Sequence, residues 1–284
     1  RQRKYVRRKL VWQEEAAAFV KAKDIHPVAG KYSHQSGHYW ASPTKFASLP
    51  IPPVPGRGLD INLDSLWMMG RYVADGWSRL TDHRGELVLC CGKKKLQAME
   101  KALACWTRKG ARCEQGELSW YRREIRTEFQ FSANHRGLVE WLRLHFGHLA
   151  HNKTIPGWIL GLPEEHRRSF LDGYLSGDGY LKGPQLVKDS TVSRALAFGL
   201  KAVVQSLGGT VSIQTREGGQ MVIEGRAVNA KQSYIVEWRW KVCPDHVQTF
   251  SRGNHAFLPI RRVVRDEASP RTVFNLSVED DESY

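Results

Sequence analysis

One short pattern occurs twice and limits what this chain can fold into. Residues 66 to 77 read LWMMGRYVADGW, and the closing Asp75-Gly76 returns 103 positions later as Asp178-Gly179, at the end of FLDGYLSGDGYL (residues 170 to 181). Each copy is an apolar helix pattern with two small residues one turn apart, Gly70 with Ala74 and Gly173 with Gly177. Residues four apart share a helix face, and small ones there let a second backbone come close. If the two faces meet, Asp75 and Asp178 arrive side by side at the helix C-termini. Carboxylates so placed repel each other, and the negative ends of both helices add to the repulsion. A divalent cation resolves the conflict, so the repeat predicts a metal site on a pseudo-twofold axis.

The stretch C-terminal to each copy repeats as well. After Trp77 a strand turns at Asp82-His83-Arg84-Gly85 into Glu86–Cys91. A helix then carries Leu96, Met99, Leu103 and Trp106, and Gly110 closes it. After the second copy, Tyr180-Leu181 turns at Gly183-Pro184 into Gln185–Lys188, and a helix with Leu196, Leu200, Val203 and Leu207 closes at Gly208. The order helix–strand–strand–helix–strand–strand–helix is therefore expected twice.

At these residues the chain resembles the LAGLIDADG homing endonucleases in their single-chain, two-motif form. MMGRYVADG and LDGYLSGDG both keep the third-position Gly and the closing Asp-Gly, while Arg71 and Val73 replace a Leu and an Asp. The resemblance implies an α+β fold of two pseudo-symmetric αββαββα units with saddle-shaped antiparallel sheets.

The ends resemble something else. FVKAKDIH and YWASP, near the start, are similar to the strand pair of an intein splicing domain, and TVFNLSVEDDESY (272 to 284) is similar to a strand near an intein's C-terminus. Arg1 stands where splicing needs Cys or Ser, no Thr-x-x-His occurs, and the sequence stops at Tyr284 without His-Asn. Terminal cyclisation and acyl shift are not expected of it as it stands. It fits a trimmed intein or a descendant keeping pieces of one. A basic opening and a helix-like stretch (Glu14 to Lys21) lead to LPIPPVPGRG, a proline-rich linker. The expected division is 1–58 (basic segment and linker), 59–160 (first unit), 161–254 (second unit) and 255–284 (terminal strands).

Charge indicates the partner. Lys and Arg total 43 against 29 acids, a net +14, which points to a polyanion. A membrane is not expected, since no apolar run approaches the ~20 residues of a span and the start lacks the apolar centre of a signal peptide. The expected setting is the cytoplasm of a phage-infected, bacterial or archaeal host cell. Five cysteines without CxxC spacing read as reduced thiols, with Cys90 and Cys91 on opposite faces of a strand. His145, His148 and His151 read as cations near a helix C-terminus or phosphate contacts rather than zinc ligands.

Later strands alternate. In Ser233–Val242, Tyr234, Val236, Trp238, Trp240 and Val242 would face the core, opposite Ser233, Ile235, Glu237, Arg239 and Lys241. In Leu118–Phe131 the core face would be Tyr121, Ile125, Phe129 and Phe131, opposite Arg122, Glu124, Arg126, Glu128 and Gln130. Thr210–Arg216 sends Gln214 and Arg216 to one side. Such faces can be merely solvated, but Arg and Gln can also bond base edges in a DNA major groove. The expected DNA contacts are Arg122, Arg126, Gln130, Gln214, Arg216, Arg239 and Lys241.

By resemblance, Asp75 and Asp178 are the metal-binding carboxylates, one for each strand, with the carbonyls of Ala74 and Gly177 as supporting ligands. The family also places a basic residue near the attacking water. Lys153, before Ile155-Pro156, fits in the first half; Arg252 fits in the second, with Lys241 as a rival. Oxygen ligands and phosphate favour Mg²⁺ or Mn²⁺, and Ca²⁺ would support binding without cleavage. The expected function is metal-dependent, site-specific cleavage of both strands of a long asymmetric duplex by a monomer. The alternative is the same fold without cleavage, acting as a regulator or maturase.

Overall fold

A computed structural model describes residues 39–55, 60–104, 118–125, 128–181, 186–223, 225–240 and 250–259. The helix-like stretch at Glu14 to Lys21, Trp106, Gly110, Gly183-Pro184, Arg126, Lys241, Val242 and the strand at 272 to 284 lie outside them. By its contacts the chain divides into residues 1–40 with 259–284, and residues 41–258. Nearly all of the first unit lies outside the described residues, and apart from Tyr39, Trp40 and Pro259 the residues that can be traced belong to the second.

Helix α1, Leu63–Ala74, starts where its sequence says it should. The Asn62 side chain accepts from Ser65 N at 2.9 Å while Ser65 Oγ accepts from Asn62 N at 2.7 Å, satisfying two backbone donors reciprocally. It ends at Asp75-Gly76, and Leu66, Met68, Met69, Tyr72 and Val73 are buried along it. Helix α5, Glu164–Gly177, opens with Glu164 and Glu165, whose charge complements the positive helix end. It stops at Asp178, where Gly179 takes a left-handed φ of 99° that disfavours a side chain.

The two helices meet through the small residues. A Cβ on Gly70 would lie 2.0 Å from the Phe170 carbonyl oxygen, and one on Gly173 would lie 1.9 Å from that of Trp67. One on Gly177 would fall 2.6 Å from Ala74 Cβ. Backbone therefore touches backbone along the seam.

Each helix leads into a similar layer. After α1 come β2 (Trp77–Leu80), β3 (Gly85–Gly92), α2 (Leu96–Ala104), β4 (Trp120–Ile125), β5 (Glu128–Asn134), α3 (Arg136–Phe146) and the short α4 (Gly157–Leu160). After α5 come β6 (Tyr180–Leu181), β7 (Leu186–Thr191), α6 (Arg194–Ser206), β8 (Thr210–Arg216), β9 (Gly219–Ile223), β10 (Arg226–Ala230) and β11 (Ser233–Arg239). The antiparallel sheets run β2-β3-β5-β4 and β6-β7-β11-β8, the same order when corresponding strands are matched. The fold is α+β. The first half shows the expected element order; the last helix expected of the second would fall among residues 241–249, outside the described set.

The second half adds a ribbon. Strands β9 and β10 pair only with each other, inserted between β8 and β11 where the first half has a direct connection from β4 to β5. The register runs Gly219 with Ala230 to Ile223 with Arg226. A further sheet, β1-β13-β12, takes in β1 (Tyr39–Pro43), β12 (Phe250–Arg252) and β13 (His255–Pro259).

One continuous core lies between helices and sheets. Its members include Leu87, Leu89 and Phe131 in the first half, Val187, Val236 and Trp238 in the second, and Phe170 and Tyr174 from the seam. The alternation read in 233–239 is present, with Val236 and Trp238 fully buried. The alternation read across 118–131 needs correction. Those residues form two strands of a hairpin, and Tyr121 and Ile125 are 69% and 41% exposed. With Ile125 paired to Glu128 the parity shifts between the strands: in β4 it is Trp120 and Arg122 that lie opposite the core residues Ala133 and Phe131 of β5.

Candidate functional site

The site is built at the C-terminal ends of α1 and α5. Because Gly177 has no side chain, Asp75 Oδ2 can stand 2.9 Å from where its Cβ would be. Asp178 lies near enough to Asp75 for the two carboxyls to repel, which favours a proton on Asp178. Burial, then the charges of Asp75 and Asp189, raise the Asp178 carboxyl to about 6. Ala74 and Gly177 immediately precede the two aspartates.

Arg71 answers one of the two charges. Its Nη2 lies 2.7 Å from Asp75 Oδ2, one helical turn away on the same helix. Its Nε donates to the Cys90 carbonyl of β3 at 3.0 Å, its Nη2 bonds the same oxygen, and its Nη1 reaches Ser176 Oγ at 3.4 Å.

Lys153 comes to the site from the segment after α3. Only 4% exposed, its Nζ donates to the carbonyls of Tyr72 (2.7 Å) and Gly76 (3.1 Å), which bracket Asp75 along the chain. It also lies 3.3 Å from the centre of the Tyr72 ring. Burial pushes its ammonium down to about 7, while the helix-end carbonyls and the ring face favour the charged form. Its own carbonyl accepts from Ser193 Oγ at 2.6 Å, and Ser193 in turn caps α6.

Sequence reading missed Lys95. It belongs to a single turn, Lys93–Lys95, between β3 and α2, and its Nζ donates to the Ser176 carbonyl in the last turn of α5. Burial and Arg71 lower its pKa. Lys95 thus does for the end of α5 what Lys153 does for the end of α1, although both lysines precede α5 in the chain. The run of three lysines carried a signal for phosphate, but its reach to the second motif is tertiary. With Arg71, Asp75 and Gly177, Lys93, Lys94 and Lys95 line a cleft of ≈ 720 Å³.

The donor set fits a hard divalent cation: two neighbouring carboxyl groups at the ends of the motif helices. Among the described residues no group of three His, Cys, Asp or Glu side chains is placed to hold a metal. The remaining ligands would be carbonyls, water and phosphate oxygens, which suits an ion that keeps several waters.

Expected base-reading residues divide by face. Gln214 pairs with Ile235, Arg216 with Ser233 and Arg239 with Thr210, all on the face away from Val236 and Trp238. Gln130 likewise lies opposite Cys90 and Arg123, away from Phe129 and Phe131. Arg122 is the exception, for the β4–β5 register puts it on the core side of an edge strand. There it pairs with Glu100 of α2 at 2.7 Å and lies over the Phe129 ring. Arg123 takes the place expected of it. Lys188, opposite Glu237 in β7, was not singled out from the sequence. Arg126 and Lys241 lie outside the described residues, and Arg252 is placed by its backbone in β12, opposite His255. The His145 ring lies tilted against Trp141 with centroids 4.7 Å apart, and His148 Nδ1 lies 3.5 Å from Ser78 Oγ.

No family model matches the chain. A Mycobacterium tuberculosis protein described as an iron-sulfur cluster assembly SufBD family protein is 27% identical over 249 residues, 84% of this chain and 28% of that protein. The ATP-dependent DNA helicase Hel308 of Thermococcus kodakarensis is 33% identical over 167 residues, 51% of this chain and 14% of the helicase. The homothallic switching endonuclease of Saccharomyces cerevisiae is 25% identical over 148 residues, 46% of this chain and 25% of that enzyme. The chain thus spans from about a seventh to little more than a quarter of these relatives. Among solved structures, I-DmoI in complex with DNA and Mn has a TM-score of 0.40 at 10% identity, covering 63% of this chain and 90% of that one.

Proposed function

We propose that this chain is a metal-dependent, site-specific DNA endonuclease of the LAGLIDADG type, carried by an intein. The observation that supports it most is the junction of Asp75 and Asp178, two carboxylates from repeated helices forced together by a glycine seam. A fold gains nothing in stability from such a pair, which is why it reads as a site.

The similarity to the yeast switching endonuclease supports the activity, and the other relatives support the origin. Iron–sulfur assembly and DNA unwinding have no chemistry in common, yet proteins with those names share this segment over 28% and 14% of their lengths. A Thermococcus litoralis DNA polymerase is 45% identical to it over 62 residues, 4% of its own length. A segment carried by hosts of unrelated activity behaves as a mobile insertion.

In this reading Asp75 and Asp178 hold Mg²⁺ or Mn²⁺ with the carbonyls of Ala74 and Gly177, each serving one strand of a duplex. When bound, the ion supplies an activated water and charge relief at the phosphate and the leaving oxygen. Lys153 fixes the turn that carries Asp75 and, poised near 7, exchanges a proton at neutral pH. The Lys93–Lys95 turn takes the phosphate of the approaching strand. Arg123, Gln130, Gln214, Arg216 and Arg239 face the major groove on the two sheets. The protein acts as a monomer, since one chain supplies both halves.

The test is selection of a cleavage site from a randomised duplex library with Mg²⁺. The wild type should cut both strands of the selected site. Asp75→Asn and Asp178→Asn should bind it in Ca²⁺ and leave it uncut. Binding without cutting by the wild type in Mg²⁺ and Mn²⁺ would make the protein a regulator or maturase, and normal cutting by either variant would remove the aspartates from the chemistry.

A further inference from the structure

Asp75 and Asp178 occupy equivalent places on repeated helices, yet their surroundings are unequal. Four residues before Asp75 stands Arg71, which is 4% exposed; four before Asp178 stands Tyr174. The Tyr174 hydroxyl is committed elsewhere, donating to Asp189 Oδ2 at 2.5 Å. The guanidinium of Arg71 points at the site. It pairs with Asp75 at 2.7 Å, bonds the Cys90 carbonyl of β3 and reaches Ser176 on the neighbouring motif helix.

A buried guanidinium is costly to desolvate, and one carbonyl could be satisfied by a neutral donor. What a neutral donor could not do is hold a carboxylate against the end of another helix that already carries an acid. Arg71 contacts all three parties at once: its own acid, the strand behind it and α5. Its planar fork, fixed by two bonds to Cys90, leaves the remaining donors aimed at Asp75 and Ser176.

We infer that Arg71 is a positioning residue, a tethered cation that holds Asp75 at the end of α5 in the absence of metal and competes with a divalent ion for that carboxylate. This deepens the reading of the two aspartates as metal ligands and makes the halves of the site unequal. Arg71 pairs directly with Asp75 and acts on Asp178 only through space, so Asp178 is the carboxylate that an arriving ion meets first. Asp75 joins once Arg71 gives up its share.

The test uses the full chain without DNA. Thermal melts in EDTA compare the wild type, Arg71→Met, Asp75→Asn and the double variant. Arg71→Met should lower the melting temperature, and adding Asp75→Asn should recover most of that loss, because the uncompensated charge is then gone. Calorimetric titration with Ca²⁺ should find Arg71→Met binding about tenfold tighter than wild type, ~1.4 kcal/mol. An equal loss with and without Asp75→Asn would overturn the inference and leave Arg71 as a partner of the Cys90 carbonyl alone; so would unchanged Ca²⁺ affinity. Should Arg71→Met fail to fold, Arg71→Lys, which keeps the charge and loses the fork, is read in the same cycle. No step depends on cleavage. A wild type that cuts no DNA would end the nuclease proposal while leaving this cycle to stand or fall alone.

Discussion

Asp178 carries a cost that only its function repays. Burial and the neighbouring Asp75 raise its carboxyl from 3.8 to about 6. Folding therefore takes up a proton between those two values, and stability falls as pH rises through that window and stays lower above it. Asp178→Asn should remove the cost. In EDTA at pH 7.5 the variant is expected to be more stable by about 1–3 kcal/mol, and its stability should lose the slope between pH 4 and pH 6. Urea melts across that range check it; an unchanged slope would mean that Asp178 is not held against Asp75. The same variant should be inactive, so stability and activity move in opposite directions.

The seam between α1 and α5 governs the elements. Gly173 is the sharpest place to probe it, because even a single methyl would lie 1.9 Å from the Trp67 carbonyl oxygen. In an ordinary exposed helix Gly→Ala gains up to ~1 kcal/mol. Here Gly173→Ala should instead cost ~3 kcal/mol or more, since the obstacle is backbone and cannot turn aside. Divalent-ion affinity should fall with it as the aspartates separate. A raised melting temperature would contradict the packing.

Legibility followed the same line. The seam could be read because small residues one turn apart were repeated with an acid behind each, and β11 because Val236 and Trp238 alternate with Glu237 and Arg239. The β4–β5 pairing could not, since no glycine or proline stands between Ile125 and Glu128 and the sequence alternation carries on there with the wrong parity. Arg122 was misassigned for that reason. Lys95 was invisible because its partner, the Ser176 carbonyl, lies 81 residues away. Arg71 could be seen only as a departure from a motif, since its meaning depends on a β3 carbonyl.

At the scale of the whole molecule, a charge of +14 and two polar sheet faces would make the proposed binding to DNA an ion-exchange process. Affinity for the selected duplex should drop steeply with salt, by about 10³-fold or more between ~50 and ~200 mM if six or more phosphates are contacted. Filter binding at several salt concentrations measures the slope; a nearly flat plot of log K against log salt would argue against an extended duplex footprint. The halves are not copies at this scale either. The β9–β10 ribbon belongs to the second alone, and both lysines at the motif-helix ends precede it.

The seam also has a history in synthesis. A ribosome delivers α1 first and α5 only after ~90 further residues, a lag of about 5–20 s at ordinary elongation rates. Throughout that lag the glycine-notched face of α1 has nothing to close against. Ser193, whose hydroxyl holds the Lys153 backbone, comes later still. A nascent chain, or one stopped between the halves, therefore displays the first aspartate without its mate and without the clamp on its lysine. In the proposed reading, competence to cut DNA arrives late in translation, when the second half closes on the first.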